Sequence, residues 1–212
     1  MTEQSSRAVR RHVFQDQLGS SDTFGVTDTA TFALRRTRPA QRWSLRISEA
    51  EATARDIAGG FDIGQPINEL RTTTGVNASG GAVDLLSARL GPDEWLLVAD
   101  GADGDTLAAK LADDLDGTGY TLVDISHRNI AIEIAGSQAA DVINTGCPLD
   151  LAARAFPIGA ATRTLFAKAE IILMRCPNLE QAPRYRIECW RSFGRYLNGI
   201  LTNSAQLLGV PR

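Results

Sequence analysis

The sequence predicts an α+β fold made of two similar strand-helix-strand-strand units in succession. Three observations carry that prediction. Apolar and polar residues alternate with period two at residues 43–47, 130–135 and 185–190, which marks strands. Apolar residues recur at helical spacing over 107–115 and 193–208. The two kinds of segment also follow one another in the same order in both halves of the chain, as in an internal duplication.

Taken in order, Trp43, Leu45 and Ile47 alternate with Ser44 and Arg46 as the first core strand. Ser48 and Glu51 stand at the spacing of a capping box, so a helix is expected from there to about Ala58, stopping at Gly59-Gly60. Residues 61–82 contain Gly64, Pro66, Gly75, Gly80 and Gly81 and read mostly as loop, anchored by Ile67 and Leu70. Residues 83–90 and 95–99 form a predicted β-hairpin around Gly91-Pro92-Asp93-Glu94, in which proline presets one backbone angle. Asp103 or Asp105 caps the next helix, which buries Leu107, Leu111 and Leu115 and ends at Gly117 and Gly119. With the strand from Tyr120 through Asp124, the first half reads strand, helix, strand, strand, helix, strand, which is a ferredoxin-like order.

The second half begins alike. Ile130, Ile132 and Ile134 alternate with Ala131 and Glu133 as a half-buried strand. Ser137 is expected to cap a short helix that ends at Asn144-Thr145-Gly146, where glycine takes the left-handed conformation. Strands at 162–168 and 169–176 follow, then a loop around Pro177 and Pro183. Tyr185, Ile187 and Cys189 supply the apolar side of another strand. Ser192 is expected to cap a long helix carrying Phe193, Tyr196, Leu197, Ile200, Leu201 and Leu208. Each large side chain it buries is worth about 1.5–3 kcal/mol, so this helix packs on the sheet. Residues 1–40 are polar with scattered Val13, Phe14, Leu18, Phe24 and Val26, and read as a flexible N-terminal arm. The rest, 41–212, reads as one domain with halves at about 41–125 and 126–210.

Composition removes several functions. The chain has 212 residues, 43% hydrophobic and 22% charged, with net charge −3. No positive field exists to attract nucleic acid, and no apolar run approaches the roughly 20 residues of a membrane span. Arg7, Arg10 and Arg11 precede no apolar stretch, so the N-terminus does not read as a secretory signal, and the cytoplasm is the expected location. Cys147, Cys176 and Cys189 are odd in number and widely spaced, against a disulfide framework, and with only His12 and His127 beside them they make a poor zinc site.

No convincing reactive constellation stands out. Asp124, Ser126 and His127 contain the residue types of a hydrolase, but alternate residues of an extended chain face opposite ways, so His127 points away from the other two. A polar corner whose Asp and Ser bond to local backbone explains the same residues. Gly75 through Gly81 and Gly101 through Gly104 lack the spacing and the strand-to-helix setting of phosphate-binding loops. Arg184, Arg186, Arg191 and Arg195 are either a grip for carboxylates of a ligand or partner, or a solvated charged face beside Glu188. Cys147 next to Pro148 has only Arg154 to activate it, so apolar packing is expected. Catalytic, cofactor-binding and metal residues are therefore expected to be absent. The large side chains Trp95, Trp190 and Phe193, with Arg191 and Arg195, are the expected subunit interface.

Several blocks together carry a family resemblance. They are Leu90-Gly91-Pro92-Asp93-Glu94-Trp95-Leu96-Leu97, Asp124-Ile125-Ser126, the glycine before the second-half helix, Gly146-Cys147-Pro148-Leu149-Asp150-Leu151 and Arg191-Ser192-Phe193. In this order and spacing, over about Trp43 to Gly209, the chain resembles the gamma subunit family of heterotetrameric sarcosine oxidase. The resemblance implies the fold of the folate-binding aminomethyltransferases of the glycine cleavage system. It also implies a structural subunit without its own cofactor. Its implied partners are an alpha subunit with NAD and tetrahydrofolate sites, a beta subunit with FAD and FMN, and a delta subunit with zinc. Such a complex demethylates sarcosine, passes the methyl carbon to tetrahydrofolate and reduces oxygen to hydrogen peroxide. Two alternatives are a stand-alone folate-dependent one-carbon transferase and a complex acting on another N-methyl amino acid, such as N-methylglutamate.

Overall fold

The computed structural model describes residues 32–37, 39–76 and 80–209. In chain order its elements are β1 (Ala33–Arg36), β2 (Ala40–Ile47), α1 (Glu49–Arg55), β3 (Ile57–Ala58), β4 (Phe61–Asp62), β5 (Leu70–Val76), β6 (Ala82–Arg89) and β7 (Glu94–Asp100). There follow α2 (Gly104–Asp114), β8 (Tyr120–Asp124), β9 (Asn129–Ala135), α3 (Ala139–Asn144), β10 (Ala161–Phe166), β11 (Ala169–Leu179), β12 (Ala182–Trp190), a 3-10 turn (Arg191–Phe193) and α4 (Gly194–Leu207). This is an α+β fold with two five-stranded sheets, all of whose strand pairs are antiparallel.

One sheet runs β5-β6-β7-β2-β8 and the other β10-β11-β12-β9-β1. Strand for strand, the order is the same. In the first, β2 leads through α1 to β5, β6 and β7, then through α2 to β8. In the second, β9 leads through α3 to β10, β11 and β12, then into α4. The place beside β9 that corresponds to β8 beside β2 is filled by β1, from the opposite end of the chain.

One correction to the sequence reading follows from β1. Residues 33–36 and 40 belong to the sheets, so the expected arm is too long; residues 1–31 lie outside the described residues. A four-residue strand shows no usable period. What holds it is tertiary: pairing from Ala33↔Ala135 to Arg36↔Ile132, the burial of Phe32, and an Arg35–Glu133 ion pair.

The sheets stack face to face, with helices outside. Trp43, Leu45, Trp95, Leu97 and Ala99 pack against Leu107, Leu111 and Leu115 of α2 and its end, while Leu86, Ala88, Leu96 and Val98 pack on Met174 and Cys176 of the other sheet. That sheet turns Ile132, Ile134, Tyr185, Ile187 and Cys189 toward α3 and Leu197 and Leu201 of α4. Every residue of β9 is buried, so the half-buried strand read from its alternation is a strand covered on both faces. The sequence shows one apolar face and one mixed face; a second sheet supplies the cover.

Other differences are local. The β6–β7 hairpin and the Asp103-capped α2 are as expected. Ser48 accepts from Glu51 N, but α1 stops at Arg55, where Asp56 at φ 63° turns the chain. Gly59 and Gly60, both at positive φ, form the two-residue turn of the β3–β4 hairpin, the primed geometry that suits strand twist. Thr72, Thr73 and Thr74 make β5 a strand where loop was expected, since β-branched residues suit a pleated surface despite Gly75. Ser137 and Ser192 cap nothing: α3 and α4 start after Gln138 and Phe193, neither of which provides a side-chain cap. Gly146 is needed for closeness, because an added Cβ would lie 3.0 Å from the Phe166 ring. Pro177 and Pro183 lie inside β11 and β12, at the register shift between Cys176 and Leu179 and near the strand start, where a missing N–H is tolerated. Glu180 at φ 55° takes part in the intervening turn.

Candidate functional site

The polar corner after β8 resolves as a structural knot. Ser126 N donates to Asp124 Oδ1 at 2.7 Å, and the Ser126 hydroxyl accepts from Arg42 N at 2.9 Å and lies 3.2 Å from Gln41 Oε1. The hydroxyl is thus occupied by the neighbouring strand, while His127 is exposed. These contacts tie β8 to β2, and among the described residues no base bonds the Ser126 hydroxyl.

A cluster of paired charges lies between the sheets. On β12 alternate residues face one way, so Arg186 and Glu188 point at the other sheet while Tyr185 and Ile187 enter the helix-covered core. Arg42 of β2 pairs with Glu188 through Nε–Oε2 at 2.7 Å and Nη2–Oε1 at 3.2 Å. Arg186 donates to Glu188 Oε1 at 2.9 Å and grips Asp100 of β7 at 2.9 and 3.3 Å. It also lies 3.7 Å from Glu133, which pairs with Arg35 of β1. Three guanidinium groups therefore face three carboxylates. Burial opposes the charge of Arg186, yet Glu188, Asp100 and then Glu133 hold its pKa well above the usual arginine value. The network joins both sheets and the N-terminal strand, and it binds its members to one another.

Alternation alone concealed this. Arg42, Glu133, Arg186 and Glu188 sit at positions that would face water in a sheet covered on one side. A charged residue on the second face of several strands, with matching opposite charges elsewhere, was the available signal. The arginines grouped in the sequence are accordingly split: Arg186 is interior, Arg184 is half-buried, and Arg191 and Arg195 lie at the start of the last helix.

The aromatic residues divide as sharply. Trp95 is 0% exposed, with the Arg89 guanidinium 4.9 Å from its ring centroid, and Arg89 donates to the carbonyls of Gln65, Gly91 and Pro92. It anchors the hairpin turn from within and offers nothing to a partner, which corrects the expectation that it forms an interface. Trp190 is 51% exposed, at the end of β12, with the Arg128 guanidinium 6.0 Å from its ring centroid. Arg191 N donates to Arg128 O at 2.7 Å, locking the corner to the 3-10 turn. Phe193 is half-buried against the core and meets exposed Tyr196 edge-on at 6.4 Å. Arg195 is exposed beside them. Four of the five expected interface residues thus share one end of the molecule.

A cleft of about 680 Å³ opens between Asn68–Arg71 of the first half and Leu149–Thr162 of the second. Leu70 and Phe156 are buried in its lining, Glu69 and Arg71 pair with each other at 2.6 Å, and Asp150 accepts from Ala152 N. The cysteines are buried. Desolvation raises Cys176, and burial followed by the Glu188 charge pushes Cys189 up to about 12, so neither offers a thiolate near neutrality. Among the described residues no group of three or more His, Cys, Asp or Glu could hold a metal.

Comparison with known proteins adds what geometry alone does not. The model of the sarcosine oxidase, gamma subunit family matches residues 56–205. Sarcosine oxidase subunit gamma from Arthrobacter sp is 36% identical over 86 residues, and that from Corynebacterium sp. (strain P-1) is likewise 36% identical over 86 residues; each match covers 41% of this chain and 41% of the relative. The matched segment therefore spans about two fifths of these relatives. A chain of the heterotetrameric sarcosine oxidase from Corynebacterium sp. U-96, solved in complex with pyrrole 2-carboxylate, superposes with TM-score 0.73 at 22% identity, over 96% of this chain and 98% of that one. The glycine cleavage system aminomethyltransferase T from Bartonella henselae gives TM-score 0.63 at 17% identity, over 81% of this chain and 45% of that one. These two likenesses concern the fold, and they fit the stacked antiparallel sheets described above. With residues 56–205 of its 212 matched by the family model, the chain belongs to the sarcosine oxidase gamma subunit family.

Proposed function

We propose that this chain is a non-catalytic subunit of a cytoplasmic, heterotetrameric sarcosine oxidase and organises the complex while the chemistry occurs on other polypeptides. The complex so read oxidises sarcosine to glycine, passes the one-carbon unit to tetrahydrofolate and yields hydrogen peroxide. FAD, FMN, NAD, tetrahydrofolate and zinc would lie on alpha, beta and delta partners. The observation that supports this most is the use the fold makes of its ionisable groups. Arg42, Arg186, Asp100, Glu133 and Glu188 bind one another between the sheets, and Ser126 is held by the β2 backbone. Side chains engaged in this way stabilise a scaffold and are unavailable to a substrate. The shared strand order further supports a duplicated, ferredoxin-like origin for the two halves, with β1 closing the second. The test is co-expression with the remaining subunits: the chain should co-purify in a fixed ratio, and omitting it should lower recovery of the assembled oxidase. Full assembly and activity without it would refute the role.

The likeness to an aminomethyltransferase and the open cleft favour one second reading, a stand-alone folate-dependent one-carbon transferase. Calorimetry of the purified chain with tetrahydrofolate separates the two. Binding by the chain alone supports the transferase; no heat of binding supports the scaffold.

A further inference from the structure

The two halves of the fold turn very different helix surfaces outward. Of the six exposed residues of α2, three are charged, Asp105, Lys110 and Asp113. The six exposed residues of α4 are Arg195, Tyr196, Gly199, Asn203, Gln206 and Leu207, with a single charge among them. Leu207 is 88% exposed. α3, which packs beside α4 where Thr145 Oγ1 donates to Ser204 Oγ at 2.8 Å, adds one exposed acid, Asp141. Surface helices ordinarily turn charged residues to water, and depletion of charge is the compositional mark of an interface core. Gly199 is a second, independent observation. Arg195, Gly199, Asn203 and Leu207 stand four apart and form one outward ridge of α4. Glycine weakens a helix interior relative to alanine, so its presence there needs a reason. Packing within the chain supplies none: among the described residues no atom lies within 4 Å of the place its Cβ would take. The ridge therefore has a notch in its middle that opens outward.

We infer that an uncharged helix face of another, larger subunit packs across α4 and seats a side-chain ridge in the notch at Gly199. The inference rests on the proposed reading of the chain as a complex subunit and names the surface by which it is held. Helices pack by laying the ridges of one into the grooves of the other, and a missing Cβ permits the closest approach of their axes. The occupant's face lacks charge because α4 has only Arg195 to pair with, at one end. A charge buried opposite Gly199 or Asn203 would be desolvated without an opposite charge beside it. A second copy of this chain is a poor occupant. A 14-residue helix is about 21 Å long and about 10 Å wide, a footprint of about 200 Å², whereas a stable interface takes about 800 Å² from each partner. The α4 face therefore suits a large partner, which meets it as one part of a wider contact.

The test uses the full chain co-expressed with the other subunits. The dissociation constant between this chain and the rest is measured beside the Tm of the chain alone. Gly199→Leu fills the notch with a better helix former, so it should keep or raise the Tm and yet weaken association about tenfold or more. Asn203→Lys places a charge on the same ridge without disturbing the helix and should weaken association by a similar factor. Ala109→Leu makes a comparable enlargement on the exposed face of α2 and should leave association unchanged. If Gly199→Leu and Asn203→Lys are folded and associate like wild type, the inference is overturned and the subunit reading stays intact. Equal weakening by Ala109→Leu overturns it too, since the effect would not belong to α4. A lower Tm of the Gly199→Leu chain alone would mean that another part of this chain already covers the notch, which also overturns it. Self-association of the wild type that is lost in Gly199→Leu overturns it in favour of a second copy. A wild-type chain that meets none of the subunits overturns the subunit reading and this inference with it.

Discussion

Glu188 and Arg42 are both almost wholly removed from water, and the fold tolerates them because each completes the other. Removing one partner leaves a buried charge unpaired, which costs about 3–5 kcal/mol, whereas replacing both by apolar residues of similar volume costs little. Glu188→Ala should therefore lower unfolding free energy by about that amount in urea denaturation, and Arg42→Met with Glu188→Leu should recover only part of it, because buried Arg186 also loses its bond to Glu188. A loss below about 1 kcal/mol in the single variant would mean that the pair is solvated. Cys189 gives a pH test. Its folded pKa is raised from 9.0 to about 12, so its contribution to stability is complete below pH 9.0 and is lost as pH rises toward 12. In the native protein at pH 8 a thiol reagent should modify this cysteine at the rate of global unfolding; rapid modification would place it at the surface. The residues of this network were visible in the sequence as charges alternating with apolar neighbours. Their burial was not, because nothing local to β2, β9 or β12 announces that a second sheet will cover the mixed face.

Elements whose stability is local were legible. The turn at Gly91-Pro92 and the Asp103 cap are fixed by residues adjacent in sequence, and both are where the pattern put them. Elements held by distant partners were not. Arg35 bonds Glu133 from 98 positions away, and four residues cannot advertise a strand whose other half lies so far along the chain. Arg35→Ala should cost about 1–3 kcal/mol, because Glu133 is buried and would keep only the more distant Arg186. Reduced amide protection across β1 in hydrogen exchange would accompany the loss; unchanged protection would show that the ion pair does not hold the strand. The β3–β4 turn was misassigned for another reason: Gly59-Gly60 serves equally to end a helix or to turn a hairpin. In the folded chain Gly59 has φ 60°, and an added Cβ would lie 2.6 Å from Leu111 Cγ. Gly59→Ala should thus destabilise by about 1–3 kcal/mol, measured as a lower urea midpoint, since the turn and the α2 packing both suffer. An unchanged midpoint would show that the turn relaxes freely.

At the scale of the molecule, two sheets of identical strand order are pressed together around a neutral ionic network, with helices outside and aromatic and basic residues at one end. Family membership was carried by short blocks such as Gly146 through Leu151, which keep the chain turning between α3 and β10. The candidate interface was half legible: large aromatic residues were found by type, but only the fold separates Trp95, buried behind Arg89, from Trp190, open to a partner. The central claim is that these residues build a scaffold whose chemistry lies elsewhere. Its most direct test is the purified full chain alone, assayed for bound flavin by visible absorbance and for peroxide production from sarcosine. A colourless protein that forms no peroxide, yet restores assembly when its partners are supplied, is the predicted result; a yellow chain that oxidises sarcosine unaided would contradict it.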